Sequence, residues 1–256
     1  DLKENGHELT LPQSWEEVEG FVRFYSKLTL KEKQGLPNDA MGGSLGNGGD
    51  LYKLFHYIAA PMVRDGNLQG DVKELDFSFH FDLIHAQPKL TGKGFLRALM
   101  FLQSLVPAAS KSKTSAEEYS QGKSVLHFGP LEDWAKIQKQ QTVTATTLIL
   151  RMPGARVVGD GSNGGMSKNG PINYMPVLGI CSLVAVIPSN TANLEKSLDL
   201  LAFLASDKTG KDIVIEPGFG AGVYRFSHLE NRNGWQAYGL DERKTDDLIN
   251  LLREIT

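Results

Sequence analysis

A chain of 256 residues is long enough to bury a core and divides into one large or two modest domains. Its 41% hydrophobic and 22% charged residues exclude a disordered chain, and a formal net charge of -3 argues against a general nucleic-acid binder, which would carry a basic surplus. No apolar run reaches the roughly 18 residues that a membrane-spanning helix needs, the longest being Val177–Pro188, and Cys181, the one cysteine, has no partner in the chain for a disulfide.

The start at Asp1, without methionine or a charged-then-apolar leader, leads to the expectation of a processed or truncated end from which any export signal is already gone. The first firm element is a helix over Ser14–Leu28. Ser14-Trp15-Glu16-Glu17 has capping-box spacing, and Val18, Phe21, Val22, Tyr25 and Leu28 share one face. A glycine-rich loop follows at Gly42–Gly49. Asp50 is expected to cap a second helix, in which Leu51, Leu54, Phe55 and Ile58 form a buried stripe and which Pro61 ends. Over Asp76–Asp82, Phe77, Phe79 and Phe81 alternate with Ser78, His80 and Asp82, which predicts a half-buried strand. Gly92–Val106 predicts an amphipathic helix through Phe95, Leu96, Leu99, Leu102 and Val106, stopped at Pro107.

A short polar helix from Ser115 breaks at Gly122, Ser124–Phe128 predicts a strand, and Gly129-Pro130 opens a new helix. A strand that delivers a helix N-terminus to a surface presents backbone donors to a ligand. Val143–Leu150 predicts another strand, Met152-Pro153-Gly154 a turn, and Gly159–Gly165 a loose segment. Val177–Ile187 is a near-continuous apolar run, as expected of a strand covered on both faces, with Cys181 inside it. Ser189-Asn190 starts a helix carrying Leu194, Leu198, Leu201 and Ala205. Ala221–Phe226 reads as a strand, and Asp241–Ile255 as a final helix with Leu248, Leu251, Leu252 and Ile255 aligned. There is no internal repeat, and the alternation of strands and helices predicts the α/β class.

Catalytic and metal patterns are weak. Gly42–Gly49 lacks the lysine-serine ending of a phosphate-binding loop, and no histidine pair has the i, i+4 spacing of a helical zinc site. The six histidines read as surface or satisfied residues, so neither a metal nor a cofactor is expected. There is no Gly-x-Ser-x-Gly elbow, and nothing places Asp50 and Asp82 within reach of each other as an acid/base pair. Tyr52 and Trp134 stand out among the aromatics, because each lies near the start of a helix that follows a glycine. That place suits either a ring stacking on a ligand beside free N–H groups or simple packing.

Seven segments occur in an order that resembles the solute-binding proteins of ABC importers, the family that includes maltose-binding protein. They are Pro12–Glu17, Leu96–Val106, Tyr119–Lys123, Val125–Pro130, Leu150–Gly154, Gly179–Ala205 and Gly220–Ser227. Each motif is degenerate alone, but their shared order covers nearly the whole chain. The resemblance implies a type II periplasmic-binding-protein-like α/β fold, with a mixed sheet flanked by helices. By it, residues 1–178 form the second lobe, 179–227 a segment of the first lobe with crossings, and 228–256 a return to the second. Most of the first lobe is then absent, so the chain looks like a fragment. Leu131 stands where relatives often place a sugar-stacking aromatic, which weakens an oligosaccharide ligand.

The resemblance also implies function: a non-catalytic protein, exported to the periplasm or cell exterior, that binds a sugar or other polar solute and delivers it to an ABC permease by hinge closure. The candidate ligand-binding residues are Asp50, Tyr52, Gly129, Pro130, Trp134, Gly179, Ile180, Tyr224 and Arg225. A ligand-sensing extracellular domain is the alternative, and a carbohydrate-active enzyme a more distant one, since it would need paired carboxylates.

Overall fold

The computed structural model describes residues 10–42, 48–64, 79–82, 85–106, 115–129, 131–140, 148–158, 171–174, 185–214, 226–237 and 240–255. The chain divides into two compact units, one of Asp1–Phe128 with Met152–Val177, the other of Gly129–Arg151 with Leu178–Thr256. Helices and strands are mixed, as the α/β class implies.

In the first unit, α1 (Trp15–Lys27) starts where Ser14, in extended backbone, accepts the N–H of Glu17 at 3.3 Å. Glu17 reaches back one residue further than in a capping box: its carboxylate accepts from the N–H of Gln13 at 2.8 Å. Trp15, Val18, Val22 and Tyr25 are buried, with Phe21 and Leu28 packed beside them. Next comes β1 (Asp39–Gly42), a strand with no alternation long enough to mark it in the sequence.

The second helix, α2, spans Gly48–Val63. Asp50 is therefore the third residue of the helix and not its cap. Pro61 lies inside the last turn instead of ending it, because a proline there removes only one N–H. The turn still closes, with the Arg64 N–H on the Ala60 carbonyl at 3.0 Å. Buried Asn173 donates its side-chain amide to the Pro61 carbonyl at 2.7 Å and to the Arg64 carbonyl at 2.5 Å, satisfying the helix end.

Of the strand expected over Asp76–Asp82, residues 76–78 lie outside the described residues. The remainder forms only β2 (Phe81–Asp82), antiparallel to β3 (Gln87–Pro88). Phe79 packs on the core while Phe81 is 52% exposed. Phe79 and His80 lie in a bend, where the two-residue alternation of a strand no longer holds.

Helix α3 (Lys93–Leu105) buries a different face from the expected one. Phe95, Ala98, Phe101, Leu102 and Leu105 are buried, whereas Leu96, Leu99 and Val106 are exposed. The cause is close packing on α2 through Gly94: a Cβ there would stand 2.5 Å from the Met62 carbonyl oxygen. Small residues, not the largest apolar ones, set which face can approach.

Helix α4 (Ser115–Ser120) ends as the sequence implies. Gly122 takes the left-handed conformation, φ 71°, with Gly122 N–H on the Tyr119 carbonyl at 2.9 Å and Lys123 N–H on the Glu118 carbonyl at 3.0 Å. Strand β4 (Ser124–His127) then pairs in parallel with β1, in the register Asp39 with Ser124, Met41 with Leu126 and Gly42 with His127. Gly154 and Arg156 tie back to α1: Trp15 N–H donates to the Gly154 carbonyl at 2.8 Å, and Arg156 pairs with Glu17 at 2.6 Å.

The second unit contains α5 (Leu131–Gln140), α6 (Leu194–Leu204), α7 (Asp207–Val214), α8 (Phe226–Leu229), α9 (Arg232–Ala237) and α10 (Glu242–Ile255). Its core gathers Trp134, Val214, Leu229, Trp235, Leu240, Leu248 and Ile249. The Trp235 indole N–H donates to the His228 carbonyl at 3.2 Å, and Asp241 accepts the Lys244 N–H at 2.8 Å at the start of α10. Phe226 belongs to a helix, not to the strand expected over Ala221–Phe226, whose residues 221–225 lie outside the described residues.

Two further strand expectations are corrected in part. Residues 148–150 carry no strand, and residues 141–147 lie outside the described residues. In Val177–Ile187, residues 177–184 also lie outside them, and 185–187 form no strand, with Val186 80% exposed. An apolar run specifies a need for cover but supplies no partner strand. Among the described residues, no helix is long and apolar enough to cross a membrane.

Candidate functional site

Parallel strands β1 and β4 run out at the same end, with Gly42 opposite His127. In open α/β sheets, ligands bind beyond the carboxyl ends of the strands, where loops turn into helices. Beyond β1 the chain enters α2 at Gly48, and beyond β4 it passes through Gly129 to the start of α5 at Leu131. The first N–H groups of a helix have no intrahelical acceptor, so in the first unit the start of α2 offers donors.

The sequence-derived candidates fall into three groups. Asp50 and Tyr52 share the beginning of α2, and Tyr52 is half-exposed; the side chain of Asp50 lies outside the described residues. Gly129 is exposed two residues after β4. Trp134 is 8% exposed, its ring packed in the core of the second unit, which takes up the face that stacking on a ligand would need. Pro130, Gly179, Ile180, Tyr224 and Arg225 lie outside the described residues, as does Cys181.

The densest chemistry in the first unit lies under Tyr52. Its ring centroid stands 4.2 Å from that of His56, one helical turn further along α2. His56 is 2% exposed; its Nδ1 meets the Tyr52 carbonyl oxygen at 2.8 Å, and its Nε2 meets Nε2 of His80 at 2.8 Å. A carbonyl only accepts, so the hydrogen-bond network assigns the His56 proton to Nδ1 and leaves its Nε2 as the acceptor of a proton held by His80. The His80 ring stacks on Phe95 of α3 at 5.9 Å with a 20° tilt, and Phe79 stands edge-on to Phe95 at 5.0 Å. Burial, and then the charge of a protonated His56, hold the His80 imidazole below its usual range.

This arrangement offers an aromatic face at the rim and a single shared proton beneath it. No carboxylate is bonded to either imidazole in the contacts described, and among the described residues no group of three or more His, Cys, Asp or Glu side chains could hold a metal ion. Treating every histidine as a surface or satisfied residue fits the bonds of His56, yet conceals that its partner is His80, 24 residues away. The local signal was the i, i+4 pairing of Tyr52 with His56 on one helix face.

Elsewhere, a shallow open hollow at the start of α10 is lined by Asp241, Glu242, Arg243, Asp246 and Asp247. Lys244 engages Asp241 and Arg232 engages Asp246, which makes it a charged helix start and not a solute cavity. No protein-family model matches this chain, and neither a curated protein nor a solved structure matches it.

Proposed function

We propose that this chain is a non-catalytic solute-binding protein of the ABC-importer kind, exported to the periplasm or cell exterior and built on a type II periplasmic-binding fold. The reading rests on the ordered resemblance of seven segments. The observation that carries it in the structure is the parallel pair β1 and β4 in the first unit, with half-exposed Tyr52 on α2, the next helix in the chain after β1. Tyr52 supplies a flat ring for a sugar or another polar solute, and the first-turn N–H groups of α2 supply donors. Trp134 then serves to anchor α5 and not to stack. The chain passes from one compact unit to the other three times, after Phe128, Arg151 and Val177, which suits hinge closure. A solute shifts such a hinge only by binding the closed form better, and an ABC permease is the partner that would read the closed form.

The test is an amide NMR titration with a panel of sugars and other polar solutes, carried to about 10 mM so that weak sites in the millimolar range register. At least one solute should give saturable shifts at the amides of Tyr52 and its neighbours in the first turns of α2. Tyr52→Ala should weaken that solute about tenfold, or ~1.4 kcal/mol. If no member of the panel moves these amides, the reading is wrong.

A further inference from the structure

We propose that His56 and His80 form a proton-sensitive latch, which holds Phe79 and His80 against α2 and α3 near neutral pH and releases them on acidification. The proposal goes beyond solute binding and stands whether or not that reading does.

The geometry sets the stoichiometry. In the closed form one N–H lies between two Nε2 atoms 2.8 Å apart, and Nδ1 of His56 is committed to the Tyr52 carbonyl oxygen. A first extra proton can be placed only on Nδ1 of His80, at the cost of charging a partly buried ring beside His56. A second would set two N–H groups head to head and break the bond. The closed pair therefore takes up one extra proton reluctantly and cannot take two. With His80 released, the Nε2–Nε2 constraint is gone and each ring can hold a proton on both nitrogens.

Among the described residues, the neighbouring charged side chains are exposed or engaged with other groups. On α2, Lys53 is exposed and the Arg64 guanidinium lies over the Phe79 ring at 5.6 Å. On the hairpin, Asp82 binds His85 at 2.8 Å, and Lys89 touches His80 through its backbone N–H, which donates to the His80 carbonyl at 2.8 Å. On α3, Lys93 is exposed and Arg97 points to Glu16 at 3.6 Å. The charge that acts on His80 is that of His56.

The sign follows from proton counting. The His80 pKa is lowered in the closed form, so below the ordinary histidine range the open form binds more protons, and closure weakens as pH falls. The latch is complete above that range. Each pH unit below it favours opening by up to about tenfold per proton taken up.

Hydrogen exchange of the full chain, corrected for intrinsic rates, tests this between about pH 7.5 and about pH 5. The amides of His85 and Lys89 should lose protection at least tenfold, while those of Val18–Tyr25 in α1 keep theirs. His80→Gln, which keeps a neutral hydrogen-bonding group, should abolish the pH dependence, whereas His85→Gln should leave it intact. Unchanged protection, a parallel loss in α1, or a pH response that survives His80→Gln would each overturn the proposal. If His80→Gln does not fold, a ring-proton titration of the wild-type chain decides. Two coupled steps for His56 and His80 support the latch, and two independent titrations at the ordinary value refute it.

Discussion

In α3, Phe95, Ala98, Phe101, Leu102 and Leu105 are buried, most closely where Gly94 meets α2, whereas in α6 none of the eleven residues is buried. Leu194, Leu198, Leu200, Phe203 and Leu204 of α6 remain 41–61% exposed. Both helices carry an apolar face at helical spacing, so the periodicity that forms a helix is separate from the partner that stabilises it. What distinguishes α3 is a pair of small residues, Gly94 and Ala98, that let another backbone come close. Helix α6 has no glycine and one alanine, among leucines.

The difference should be largest when a buried ring is removed. Phe95→Ala in α3 should cost about 3–5 kcal/mol, while Leu198→Ala in α6 should stay within about 0.5 kcal/mol. Equilibrium denaturation of both variants checks this, and equal costs would mean that α6 has a packed partner after all. Truncation of Phe95 also removes the ring on which His80 stacks.

A glycine pair gives a smaller and sharper contrast. Gly94→Ala places a methyl against the Met62 carbonyl and should destabilise by about 1–3 kcal/mol despite its better helix propensity. At Gly20 in α1 an added methyl would meet nothing within 4 Å, so Gly20→Ala should instead stabilise by roughly 0.5–1 kcal/mol. Opposite shifts in melting temperature are expected. Two shifts of the same sign would show that helix propensity, not the approach of α2, governs the site.

The smallest effect concerns charge. The Arg156 guanidinium, bonded at 2.6 Å, holds the Glu17 carboxyl below its usual range, aided by the Gln13 N–H. A lowered folded pKa adds stability that is present above the ordinary carboxylate value and is lost as pH falls through the folded value. Because this pair is more than one-third exposed on each side, its worth is less than about 1 kcal/mol. Glu17→Gln should flatten the acid side of the first unit's stability profile by that amount. An unchanged profile would show that solvent screens the pair fully.

Much of the local structure was legible. Ser14 and the spacing of Val18, Val22 and Tyr25 define α1, and Gly122 ends α4, because caps and periodicity act within a few residues. The strand Ser124–His127 was legible as well. Its partner Asp39–Gly42 was not, since Asp39-Ala-Met-Gly42 carries no β-branched or aromatic residue. Of the two aromatic rings singled out in the sequence, Tyr52 is exposed and Trp134 is buried in a core, a difference that their like positions after glycines did not signal.

The sequence by itself determined where α1 begins, where α4 ends and which segments are apolar, since caps, glycine and side-chain spacing are local physics. Only the tertiary structure decided that α3 turns Ala98 inward and Leu99 outward, that β1 pairs with β4, and that His56 meets His80. Each of those outcomes depends on how closely two distant backbones approach, and that is set by the shape of both partners at once.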